Sequence, residues 1–183
     1  MTDRTVQDLA GFKLPPDFRG RSAAVVQLWW LVQATLFRCS PQLLYGFRRW
    51  LLRLFGATIG AGAIIRPSVE IPYPWKLRIG DHAWIGDHAV LYCFAEITIG
   101  RNAVVSQKSY LCAGTHDYRS PQFDIEAYPI VIEEEAWIAA DVFVGPGVTI
   151  GRGTVVGSRS SVFTDLPPMM VCVGSPARPV HAR

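Results

Sequence analysis

The sequence predicts a mainly β fold: a left-handed parallel β-helix of hexapeptide repeats with about six coils, an N-terminal helical segment and one extruded loop. Three observations predict it. An aliphatic residue recurs at every sixth position, a small residue follows most of these by four, and glycine often stands directly after the aliphatic.

The ladder is longest toward the C-terminus, through Ile132, Ile138, Val144, Ile150, Val156 and Val162. Upstream it runs through Ile59, Ile65, Ile71 and Leu77, then Ile79, Ile85, Leu91 and Ile97, then Ile99, Val105 and Leu111, slipping where coils join. Neither the helical period of 3.6 nor simple strand alternation singles out every sixth residue. The small side chains are Ala63, Ala83, Ala89, Ala95, Ala103, Ser109, Ala136, Thr154 and Ser160, with Trp75 as the exception. They fit where walls converge on a corner. Gly60, Gly80, Gly86, Gly100, Gly145, Gly151 and Gly157 follow the aliphatics, where a turning backbone can use glycine's unrestricted φ. Each hexad supplies a short strand and a corner, and three corners close a triangular coil of about eighteen residues.

The ladder stops at Leu111 and resumes at Ile132, so Asp117 to Pro129 reads as a loop leaving a prism corner. Loops on a rigid scaffold are where function concentrates. Residues 57–183 therefore form the β-helix with its loop 117–129, and residues 1–56 an N-terminal extension. In that extension Ser22 to Arg38 and Pro41 to Phe55 read as helices, the second with Ser40 as N-cap, Pro41 at the first helical position and Gly56 at the stop. Trp29, Trp30 and Trp50 stand there among aliphatics, with Arg38, Arg48, Arg49 and Arg53. One reading makes the helices a cap over the open end of the solenoid. The other rests an Arg- and Trp-bearing surface on an anionic membrane.

Composition bounds the rest. At 183 residues, half of them hydrophobic and 18% charged, the chain has room for one core with a small appendage. A formal charge of +3, without interleaved basic and aromatic residues, argues against nucleic acid as a partner. Cys39, Cys93, Cys112 and Cys172 lie outside any zinc-binding spacing and read as small reduced core residues. With no secretory pattern in Met1 to Gly20, they point to the cytoplasm. The apolar run Ala23 to Phe37 falls short of a bilayer span.

The stretch LCAGTH at Leu111 to His116, the loop, the run PIVIEEEAWIAADVFVGPGVTIGRGTVVGSRSSVF and the closing VGSPAR resemble the hexapeptide-repeat acyltransferases, in particular the sugar O-acetyltransferases. LYCFAEITIG, SQKSYLCAGTHDY and the apolar extension bring the colanic acid biosynthesis acetyltransferases nearest. The resemblance implies transfer of an acetyl group from acetyl-CoA to a sugar hydroxyl in exopolysaccharide biosynthesis, directly, with His116 as general base and no metal. An alcohol far from its pKa attacks a thioester slowly, and a positioned imidazole supplies what the step lacks.

Asp117, Tyr118 and Arg119 follow the histidine and are candidates for the acceptor pocket, for orienting the imidazole, or for a merely solvated loop. By resemblance the CoA arm passes Trp137, Ala139 and Ala140 and then Pro146 and Gly147, in a groove between neighbouring subunits, with Thr164 and Arg178 as further contacts; the alternatives are that Trp137 is an aromatic packed between subunits and Arg178 a solvated C-terminal residue. Two departures bear on those contacts: Thr164 is followed directly by Asp165, with one residue of the usual pattern missing, and Ser175 stands where the family has Asn. A homotrimer is implied, with apolar wall residues such as Trp84, Tyr92 and Phe143 needing cover. The acceptor is expected to be a saccharide, lipid-linked in one reading and free or nucleotide-linked in another, with the enzyme at the inner face of the cytoplasmic membrane in the first case.

Three rivals remain: a zinc enzyme of the carbonic anhydrase type using His82, His88 and His181, covalent catalysis through Cys112, and a scaffold without catalysis. His82 and His88 sit one hexad apart, about a third of a turn around the prism, so they cannot share a metal within one subunit.

Overall fold

A computed structural model describes residues 6–183. The expected left-handed parallel β-helix is present, with about six turns and two helices. Its first wall stacks Thr58–Ile59, Leu77–Ile79, Ile97–Ile99, Ile130–Ile132 and Thr149–Ile150. The second runs from Ile64–Ile65 through Trp84–Ile85, Val104–Val105, Trp137–Ile138 and Val155–Val156 to Met170–Gly174. There the chain turns back as Ala177–Ala182, antiparallel to its predecessor. The third holds Val90–Tyr92, Tyr110–Cys112, Phe143–Val144 and Ser161–Val162.

Register follows from the six-residue beat. Ile59 pairs with Ile79, Ile79 with Ile99, Ile99 with Ile132 and Ile132 with Ile150, so identical side chains stack up the axis. These aliphatics are buried, as are Ala63, Ala83, Ala89, Ala103, Ser109, Ala136, Thr154 and Ser160; Ala95 is half-buried. Small residues at the corners let the walls meet without voids.

The glycines act for a different reason than the expected one. None of the seven that follow an aliphatic has a positive φ. A Cβ added to Gly80, Gly86, Gly100 or Gly151 would instead lie 2.5 Å from the backbone nitrogen of Arg101, Gln107, Glu134 or Pro168 in the next coil. Close approach of stacked corners, not turning, demands glycine there. The left-handed residue comes two positions after the glycine, at Gly62, His82, His88, Asn102, Gly147, Gly153 and Arg159, and at Lys108, Glu135 and Asp141 in the hexads where Ser106, Glu133 and Ala139 replace it. Gly100→Ala should cost about 1–3 kcal/mol, the range for overpacking against unyielding backbone. A lowered urea midpoint at unchanged slope would register it.

The extension forms α1 (Ala23–Val32), continued by a wider turn at Gln33–Phe37, and α2 (Tyr45–Leu54). Here the expected start of the second helix is corrected. Ser40 caps nothing: its hydroxyl donates to the Phe37 carbonyl at 2.6 Å and accepts from Arg48 Nη1 at 2.8 Å. Pro41 to Leu44 is a turn, and the helix begins four residues late. Gly56, at φ +94°, does end it.

α2 lies across the open end of the column. Coil N–H groups there donate forward to the second coil, as Gly60 does to Ile79 and Ile64 to Ala83, leaving first-coil carbonyls pointing outward. Arg48 Nε donates to Ile65 O at 2.7 Å, Arg49 Nη1 to Ala63 O at 2.8 Å and Arg53 Nη2 to Ile59 O at 2.6 Å. Trp29 of α1 is buried and donates to Ile71 O at 2.6 Å. Three guanidinium groups thus satisfy an edge that would otherwise bury or expose unpaired acceptors.

Cysteines divide in a way composition did not reveal. All four are free thiols, but only Cys93 and Cys172 are buried; Cys39 is exposed and Cys112 half-buried. Among the described residues no helix is long and apolar enough to cross a membrane.

Candidate active site

Within the parallel coils, irregularity gathers at one edge, where each strand of the third wall passes to the first. It carries the turn at Pro74–Lys76, the bend after Tyr92, the extruded segment after Cys112, the corner at Gly145–Gly147 and the short corner at Thr164–Asp165. His116 sits on the largest of these departures.

The segment expected as a loop is partly a hairpin. Gly114–His116 pairs antiparallel with Ile125–Ala127, His116 opposite Ile125, and the tip spans residues 117–124. Gly114 is required by its neighbour: a Cβ there would meet the Phe94 ring at 2.6 Å.

Phe123 holds His116 in two ways at once. Its carbonyl lies 2.7 Å from Nδ1 of the imidazole, and its ring stacks on the imidazole with centroids 4.1 Å apart and planes at 10°. A carbonyl can only accept, so Nδ1 carries the proton and Nε2 is left with a free lone pair. Phe123 has φ +55°, a conformation uncommon for an aromatic residue, and this aims its carbonyl back at the histidine. The result is an oriented imidazole able to accept a proton.

A second contact comes from the N-terminal segment. The Phe12 ring lies 6.3 Å from that of His116, and Asp8 N donates to Pro121 O at 2.6 Å. Lys76 pins the segment further along by donating to Phe18 O at 2.6 Å and Phe94 O at 2.5 Å. Burial lowers the Lys76 pKa.

The other residues singled out by sequence are placed as follows. Asp117 stabilises the hairpin tip, accepting from Arg119 N at 2.9 Å. The Arg119 guanidinium lies 5.5 Å from the ring of exposed Tyr118. Both side chains are exposed to solvent. Gly147 (φ +78°) and Pro146 lie on the same edge as His116, one coil on, with Tyr128 against Gly147. Thr164 follows a coil later, where Asp165 accepts from Thr149 N at 2.7 Å and Leu166 bridges to Ile150. The residue missing from the repeat shortens this corner.

Trp137 stands apart from that edge. It lies on the second wall, exposed, with Nε1 donating to Ser106 Oγ at 2.9 Å. Ala139 and Ala140 form the next corner, away from the histidine. Arg178 is on the terminal antiparallel strand, its Nη1 donating to Ala177 O at 3.0 Å. Within one chain these groups do not meet His116.

Phe123 and Phe12 escaped sequence reasoning. A backbone carbonyl leaves no mark on residue identity, and a ring contact across more than a hundred residues has no local spacing.

Among the described residues no three His, Cys, Asp or Glu side chains gather as a metal site. His82 and His88 occupy corners on different edges. Burial pushes the Cys93 thiol up to about 12, which leaves it protonated, and Cys112 Sγ donates to Gly114 O at 3.2 Å.

Comparison with known proteins agrees with this geometry. Residues 129–163 match the bacterial transferase hexapeptide (six repeats) family. The chain is 61% identical over 178 residues, 97% of its length and 98% of the relative's, to WcaF of Escherichia coli K12, which bears the provisional name colanic acid biosynthesis acetyltransferase. A hexapeptide-repeat acetyltransferase of Vibrio cholerae, solved with acetyl coenzyme A, superposes with a TM-score of 0.79 at 29% identity, covering 89% of this chain and 91% of that one. A galactoside acetyltransferase solved with coenzyme A shares the fold, at a TM-score of 0.80, 24% identity and coverage of 93% and 92%. A hexapeptide column, one extruded histidine and these likenesses agree: the chain belongs to the hexapeptide-repeat acetyltransferases.

Proposed function

We propose that the protein moves an acetyl group from acetyl-CoA to a saccharide hydroxyl in exopolysaccharide biosynthesis of the colanic acid type, with His116 as the base. The observation that carries the base assignment is the 2.7 Å contact between Nδ1 and the Phe123 carbonyl, which leaves Nε2 as the acceptor of a proton. Nε2 takes the hydroxyl proton as the alcohol oxygen bonds to the thioester carbon, the carbon–sulfur bond breaks, and the proton passes to the departing CoA sulfur.

Acetyl-CoA supplies the activated acyl group. Ala139 and Ala140 offer no side chain beyond a methyl, so a pantetheine arm could run against the backbone there, with Trp137 as a flanking wall and Pro146, Gly147, Thr164 and Arg178 further along. Because Trp137 and His116 belong to different edges of one column, the active site is completed by a neighbouring subunit. A trimer with side-by-side columns provides this, and covers the apolar outer surface of the second wall. Asp117, Tyr118 and Arg119 line the acceptor side. A saccharide carried on a lipid places the enzyme at the inner face of the cytoplasmic membrane.

Incubation with acetyl-CoA and exopolysaccharide repeat units, read by free thiol release and by the mass of the product, tests the activity. A saccharide-dependent thiol signal with the mass of one added acetyl group is expected, and thiol release indifferent to saccharide would oppose it. Cys112→Ala should leave the rate within a fewfold, since direct transfer needs no acyl-thiol. A loss comparable to that from removing His116 would instead favour a covalent route.

A further inference from the structure

We propose that the outer face of the helical cap is a docking surface for an anionic phospholipid bilayer. α2 is built inside out relative to an ordinary surface helix. Its inward side carries Arg48, held by the first coil, beside Leu51 and Leu52, all buried. Outward, the apolar stripe consists of Trp50 and Leu54, four residues apart on one helix face, with half-buried Phe47 beside them and Leu43 from the turn that precedes the helix. Leu43 is 85% exposed, Trp50 55% and Leu54 64%, and the Phe47 and Trp50 rings stack at 5.9 Å.

The stripe continues onto α1. Leu54, Leu28 and Arg21 line one notch of about 430 Å³. A contiguous apolar face of this kind is unusual on a protein that meets only water.

Charge chooses the occupant. Between Gly20 and Val69 the sequence has six arginines and no aspartate or glutamate; of these, Arg66 is paired with Asp87 at 2.7 Å and Arg38 lies 3.9 Å from Glu70, and the other four have no carboxylate partner within salt-bridge distance among the described residues. Arg48, Arg49 and Arg53 are turned inward to the coil carbonyls, yet their charge still biases the end of the column. A second copy meeting this face end to end would oppose two basic surfaces. A bilayer with anionic headgroups instead offers apolar depth for Leu and Trp and counter-charge for Arg21. The face is also normal to the column axis, so columns packed side by side leave it free, and in a parallel trimer all three ends would face one plane.

The surface's use rests on the proposed lipid-carried acceptor, although its presence does not. The test is co-sedimentation of the full chain with vesicles of phosphatidylglycerol and phosphatidylcholine in equal parts, against phosphatidylcholine alone. Binding to the anionic vesicles is expected. The double variant Leu43→Ser, Trp50→Ser should weaken it roughly tenfold or more, and Arg21→Glu by a smaller factor, with circular dichroism and acetyl transfer to a soluble acceptor unchanged. Wild-type protein left in the supernatant, or a double variant that binds as well, would overturn the proposal. So would loss of the native oligomer in the variant, which assigns the face to a second copy. A protein that binds vesicles but transfers no acetyl group would keep the surface and refute only the activity.

Discussion

Replacing His116 by Ala is expected to lower kcat for acetyl transfer by roughly 10²–10⁴-fold, the range for loss of a positioned general base. KM for acetyl-CoA should stay within a fewfold, because the imidazole acts on the acceptor's proton. Loss confined to kcat would mark an interaction made chiefly in the transition state. The structure gives a reason to expect the upper part of the range. Both tautomer and plane of the ring are fixed by Phe123, through its carbonyl at 2.7 Å and its ring at 4.1 Å, so no reorganisation precedes proton transfer. Steady-state assays with free-thiol detection measure it, and a variant retaining more than a tenth of wild-type kcat would remove His116 from the chemistry.

Arg48→Ala should be strongly destabilising, by about 2–4 kcal/mol. Arg48 is fully buried, and its guanidinium donates to Ile65 O, the Ser40 hydroxyl, Pro41 O and Gln42 O at 2.6–2.9 Å. Burial lowers its pKa, with Tyr45 acting in the opposite sense. Truncation leaves those acceptors unpaired and opens a cavity under the cap. Lys should rescue little, since one ammonium cannot reach acceptors arranged around a planar fork. Urea unfolding would report the loss, and a change under 1 kcal/mol (about fivefold in the equilibrium constant) would mean that water replaces the guanidinium at no cost.

Much of this fold could be read directly because its rule is local and repeated. Each aliphatic from Ile59 to Val162 testifies independently to the same beat, and the break after Leu111 stands out against it. His116 was singled out by the resemblance of LCAGTH to the sugar O-acetyltransferases, with the break in the ladder marking its place at the start of the extruded segment. What escaped depends on partners distant in sequence. Gly80 and Gly100 looked like turn glycines because the backbone that forbids a Cβ belongs to the following coil. Arg48, Arg49 and Arg53 looked like a basic helix face, since nothing in their spacing tells that coil carbonyls wait beneath them. Ser40 and Pro41 carried a helix-start signature, but the buried Arg48 recruits the Ser40 hydroxyl and the Pro41 carbonyl, and the turn they make delays the helix. The antiparallel pairing of Gly114–His116 with Ile125–Ala127 was hidden by a hairpin tip too long for a turn signature.

A structure of the complex with CoA and an acceptor saccharide would decide the role of His116 through the position of its Nε2. That atom should lie within about 3 Å of an acceptor hydroxyl, with Nδ1 still on the Phe123 carbonyl and the CoA sulfur on the same side, close enough to receive the proton from Nε2. A bound acceptor whose hydroxyls all lie beyond hydrogen-bond reach of Nε2 would contradict it.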